Sequence, residues 1–124
     1  MSSVASTSTT GELNIAPPRR FHLLRLVRRV LGKKYKGYLL GISKQSGYCY
    51  SAEVPEFVIS DKYGVSRLVA FEDAVPLKHP HAIHSEIESL GAGRYSHWER
   101  WILFSSSDNS DPNTNGRIYT VREI

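Results

Sequence analysis

The residue types that could do chemistry crowd between Gly91 and Tyr119, in GAGRYSHWERWILFSSSDNSDPNTNGRIY. Arg94, Tyr95, His97 and Trp98 precede an apolar run, and Asp108, Asn109, Asp111, Asn113, Asn115 and Arg117 follow it. An indole face packs against the apolar face of a sugar ring, while carboxylates, amides and guanidinium groups pair with hydroxyls. The ligand-binding set read from this pattern is Arg94, His97, Trp98, Asp108, Asn109, Asp111, Asn115 and Arg117. Each has a plainer alternative. Trp98 and Trp101 are equally suited to a core, and Arg117 to an ion pair with Asp108 or Asp111. If Trp98 to Phe104 is one strand, the two polar groups stand roughly 20 Å apart. A shared pocket then requires Ser105-Ser106-Ser107 to lead the loop back toward the His97–Trp98 corner.

Catalytic readings find less support. A small hydrolase would use Ser96 or Ser107, His97 and Asp108, but no G-x-S-x-G elbow is present, and neighbours on a strand point to opposite faces. His79, His81, His84 and Glu86 lack the HExxH or paired-cysteine spacing of a zinc site, which favours a solvated helix start. Asp111-x-Asn113-x-Asn115-Gly116 opens like a calcium loop, yet Arg122 stands where the bidentate glutamate belongs. A polar loop capping its own backbone and ending in an Asn-Gly turn is the favoured alternative. Gly91-Ala92-Gly93 is too short for a dinucleotide loop, and a strand pattern follows it. No cofactor, metal or catalytic residue is assigned.

The elements that must position these residues follow from the rest of the chain. The 124 residues, 40% hydrophobic and 23% charged, match one ordinary domain. Cys49 is the sole cysteine, so no intrachain disulfide forms, and no apolar run approaches the ~20 residues of a spanning helix. The formal charge of +4 divides unevenly: residues 1–36 carry a balance of +7 and residues 37–124 one of −3. The basicity therefore belongs to a leader, and nucleic-acid binding by the body is not indicated.

Residues 1–18 read as a disordered Ser/Thr-rich tail closed by Pro17-Pro18. Residues 19–34 read as a basic amphipathic helix, with Leu23, Leu24, Leu26, Val27, Val30 and Leu31 on one arc and Arg25, Arg28 and Arg29 on the other. That helix could dock on protein, lie on an anionic membrane or act as a targeting segment. Over 35–124 the pattern predicts a mainly β domain, a small antiparallel sandwich or partly open barrel. Strands are expected at Tyr38–Ile42, Tyr48–Val54, Ser66–Glu72, Trp98–Phe104 and Arg117–Ile124, with a further short one at Phe57–Ile59. One short helix should run from Pro80 through Leu90.

The strings SRLVAFEDAVPL, PHAIHSEIESLGAGRYSHW and FSSSDNSDPNTNGRIY resemble an accessory segment of bacterial surface-polysaccharide proteins, found there beside glycosyltransferase or methyltransferase domains. The likeness spans Ser66 to Tyr119. In that pattern a glycine usually follows His-Trp, where this chain has Glu99, and an arginine precedes Thr-Asn-Gly, where it has Asn113. The resemblance implies a carbohydrate-related setting without a reaction. The combined expectation is a non-catalytic accessory module that binds carbohydrate or sugar nucleotide through the 94–98 corner and the 105–117 loop. It would be cytoplasmic and peripheral to a membrane, with a partner enzyme or anionic membrane contacted by helix 19–34. The alternatives are a small hydrolase using His97 and Asp108, or an adaptor acting through that helix.

Overall fold

The computed structural model describes residues 33–124. The 1–18 tail and the 19–34 helix expected from sequence lie outside them, except for Lys33 and Lys34, which belong to no helix. The compact unit formed by Lys34–Val54 and Val58–Ile124 is mainly β, built from two four-stranded antiparallel sheets that do not close into a barrel.

Among the described residues eight strands and one helix follow in chain order: β1 (Lys36–Tyr38), β2 (Ser43–Ser46), β3 (Cys49–Glu53), β4 (Leu68–Glu72), β5 (Val75–Pro76), α1 (His84–Ser89), β6 (Tyr95–Trp98), β7 (Trp101–Phe104) and β8 (Tyr119–Glu123). The first sheet has the order β1-β8-β4-β5 and the second β2-β3-β7-β6. Alternation decides the inner faces. In the first sheet Leu68, Ala70, Tyr119 and Val121 are buried, and in the second Ala52, Tyr95, His97, Ile102 and Phe104. The Phe104 ring meets that of Tyr119 at 5.2 Å, and this contact joins the layers. Full burial of an aromatic of this size stabilises by about 1.5–3 kcal/mol.

The helix lies on the other face of the second sheet. Its Ile87 is fully buried, it contacts β3, β6 and β7, and His84 meets the Trp98 ring edge-on at 5.2 Å. The outward Ser51 and Ser96 are buried as well. The β2–β3 turn meets the end of α1, where Tyr48 N–H donates to the Glu88 carbonyl at 3.0 Å. Gly47, at φ 56°, is required there, because a Cβ would collide with that same carbonyl.

Five sequence expectations change. The strand expected at Tyr38–Ile42 is Lys36–Tyr38 instead, and residues 39–42 lie in no strand. The Trp98–Phe104 run is a hairpin, β6 and β7, with Trp98 opposite Trp101 and Glu99 in the turn at φ 55°. Apolar residues on both arms hid the reversal, since the turn contains neither glycine nor asparagine. The helix starts at His84 rather than Pro80. Residues 79–82 instead pair with β6, where Tyr95 N–H donates to His79 O and Ala82 N–H to Tyr95 O, both at 2.9 Å. Ser43–Ser46, expected as a connection, is the exposed edge strand β2, its register fixed by β3. Phe57–Ile59 forms no strand.

Candidate functional site

The β6–β7 hairpin sends the predicted ligand residues to two ends. His97 and Trp98 stand at its tip, and Arg94 stands at its base beside the loop that follows β7. There Ser105 N–H donates to Arg94 O at 3.0 Å and Gly93 N–H to Ser106 O at 2.9 Å. The loop does turn back, but to the Arg94 end. Three residues of strand, roughly 10 Å, separate that end from His97.

At the base, the polar loop is occupied with its own structure. Arg117 forks onto Asp108 with two bonds of 2.9 Å and also reaches Glu72 at 3.4 Å. This geometry holds the Asp108 carboxyl far below the usual range and pushes the Arg117 guanidinium up. Glu72 additionally accepts from the Ser107 hydroxyl, from Ser107 N–H at 3.1 Å and from Tyr119 OH at 2.6 Å. Burial pulls the Glu72 carboxyl upward, but these donors and Arg117 outweigh it and lower it overall. The Tyr119 hydroxyl is raised by burial and by its bond to Glu72.

Asn115 donates to Ser110 Oγ and Tyr119 OH and accepts from Arg117 N–H. Asn109 accepts from Ala92 N–H at 2.7 Å, and its Oδ1 fills the space that a Cβ on Gly91 would need. Asp111 accepts from Asn113 N–H at 2.8 Å, while Asn113 donates to Ile42 O. Arg94 donates to Gly91 O. The oxygens of the calcium-like string therefore cap backbone and neighbours and do not converge. Among the described residues no group of three His, Cys, Asp or Glu side chains is placed to hold a metal. Arg117 takes the ion pair given as its alternative, with Glu72 added.

The tip holds a different constellation. His97 is buried, with Nδ1 2.7 Å from Ser66 Oγ and its Nε2 without a hydrogen-bond partner among the described residues. Burial lowers its pKa below 6.5. Its backbone is clasped by Asp61: His97 N–H donates to Asp61 Oδ2 at 3.0 Å, and Asp61 N–H donates to His97 O at 2.8 Å. The other Asp61 oxygen accepts from Ser66 N–H at 2.9 Å and lies 2.8 Å from His81 Nδ1. Burial pulls the Asp61 carboxyl upward, yet the two backbone donors and His81 outweigh it and lower it. His81 sits at φ 58° with its ring exposed.

Trp98 points outward at 37% exposure beside Trp101 at 38%. Lys62 Nζ lies 5.9 Å from the Trp98 ring centre and 3.0 Å from Glu99, which also accepts from Tyr63 OH. Arg100 stacks over Trp101 at 5.3 Å. Neither indole is sealed inside.

His97 and Asp108 do not form the pair a hydrolase needs, since one binds Ser66 and the other Arg117. Ser66 and His97 are themselves too buried for a substrate to reach. Sequence reasoning missed Asp61, Lys62, Tyr63 and Glu99 at this corner, and weighed His81 only as a zinc ligand. They come from an irregular stretch, a turn and a hairpin tip, which carry no periodicity. The one available signal was the crowding of Asp61, Lys62 and Tyr63 with Ser66 between two apolar segments.

Compared with protein-family models, characterised proteins and solved structures, the chain matches none. Among the described residues no helix is long and apolar enough to cross a membrane.

Proposed function

We propose that this chain is a non-catalytic accessory module that binds carbohydrate at the Trp98 corner. The observation that carries this reading is the outward Trp98–Trp101 pair, rimmed by Lys62, Tyr63, His84 and Glu99. An indole gives a sugar ring an apolar floor, and the rim offers donors and acceptors for its hydroxyls. The resemblance of Ser66–Tyr119 to segments of surface-polysaccharide proteins supplies the carbohydrate setting. In this reading the 105–117 loop braces the domain, and direct contact with ligand falls to His97's neighbour Trp98 and its rim. The module serves an enzyme of polysaccharide metabolism in the cytoplasm.

The test follows the two indole N–H resonances while glycans and sugar nucleotides are titrated. A binding glycan shifts both signals, and Trp98→Ala weakens binding by about tenfold or more, as loss of a stacking floor does. A broad panel that moves neither indole overturns the reading.

A further inference from the structure

The first sheet turns one face away from the core, and the register places its residues. Gly37, Val121 and Ala70 form an inward row, so Tyr38, Thr120, Phe71 and Pro76 form the outward row beside it. Leu39 and Tyr119 are buried, which sends their neighbours Leu40 and Ile118 to the outward side. Tyr38 is 66% exposed, Leu40 74% and Ile118 58%. Lys36, Arg122 and Val69 make a second outward row, and the Arg122 guanidinium lies 5.0 Å from the Phe71 ring centre. No acidic residue occupies an outward strand position on this face, and α1 packs on the other sheet. Asp73, whose carboxylate accepts Ile118 N–H, is the acidic group at its Ile118 end, and Lys36 and Arg122 stand along the rest. An apolar patch with such a cationic row marks an interaction surface.

We propose that this outward face docks on an anionic lipid surface. Leu40 and Ile118 supply aliphatic side chains for the acyl boundary, Tyr38 an interfacial aromatic, and Lys36 and Arg122 the charges that meet headgroup phosphates. Single-stranded nucleic acid fits less well, because the most exposed large apolar residue of the face, Leu40, offers a base no face to stack on. The inference is independent of the sugar reading. Trp98 projects from the outer face of the second sheet, so a docked domain presents its tryptophan corner away from the bilayer.

The test is flotation of the full chain with vesicles of phosphatidylcholine alone or with added phosphatidylglycerol. The chain should float with the anionic vesicles and less so as salt rises. Two variants probe the face: the triple variant Tyr38→Ser, Leu40→Ser, Ile118→Ser, and the charge-reversed pair Lys36→Glu, Arg122→Glu. Each should weaken binding by roughly tenfold or more. If the serine variant fails to fold, the charge-reversed pair decides alone, since both its positions are exposed. The proposal is overturned if the wild type does not float, if the variants float as it does, or if light scattering finds a homodimer that these substitutions dissolve.

Discussion

Asp61 grips His97 through both its main chain and its side chain. The Asp61 N–H donates to His97 O at 2.8 Å, and the Asp61 carboxylate accepts His97 N–H at 3.0 Å. A non-strand residue thereby completes the hydrogen bonding of an edge strand, β6, which would otherwise offer its backbone to solvent or another chain. The same carboxylate orients His81 and ties down Ser66, whose hydroxyl meets His97.

Replacing Asp61 with Ala leaves the amides of His97 and Ser66 without their acceptor. Hydrogen bonds to a charged group contribute about 1.5–3 kcal/mol, so Asp61→Ala should destabilise by about that amount or somewhat more. Urea denaturation checks this. An unchanged midpoint would mean that water replaces the carboxylate at no cost.

Acid should weaken the domain in two windows. The His97 pKa is lowered by burial, so the unfolded chain binds a proton there first, and stability falls as pH drops below 6.5 toward the folded value. Asp61 and Glu72 are also lowered, so their contribution is complete above the usual carboxylate range and is lost as pH falls through their depressed values. Thermal melts from pH 8 to pH 3 should show both declines. A proton titration followed by NMR should find His97 titrating below the usual histidine range. A His97 that titrates at 6.5 or above contradicts the first window.

Glu72 gathers Ser107, Tyr119 and Arg117, and so fastens the 105–118 connection to β4 and β8. Glu72→Gln keeps the shape and removes the charge. Amide exchange should quicken across residues 105–118, with a stability loss of about 1–3 kcal/mol. Exchange unchanged in that loop would show that Asp108 and Arg117 hold it without Glu72.

Glu99 occupies the hairpin turn at φ 55°, a conformation that glycine adopts freely and glutamate does not. Glu99→Gly should raise the melting temperature despite losing the exposed contacts to Lys62 and Tyr63, which are worth little in water. A lowered melting temperature would assign Glu99 more than a turn position.

Much of the architecture was legible because β-strands write themselves in alternation. The Cys49–Glu53, Leu68–Glu72 and Tyr119–Glu123 strands fall inside the stretches expected to pair antiparallel. Strand ends and reversals were less legible. The Trp98–Glu99–Arg100–Trp101 turn lacks the usual turn residues, and Ser43–Ser46 is polar on every residue because both its faces are exposed. Such a strand exists only because β3 pairs with it.

The amino-acid order alone determined a mainly β body with a basic leader, a lone thiol, and a polar loop closed by Asn115-Gly116. Burial and alternation are local signals, and each can be read within a few residues. Only the tertiary structure decided that Asp108 and Arg117 pair with each other, and that Trp98 faces water while His97 beside it is buried. It alone brought Asp61 and His81 to the same corner. Those outcomes depend on contacts between residues distant in the chain. Which partner a carboxylate finds is set by how the two sheets and their connections close around it, and no local pattern encodes that.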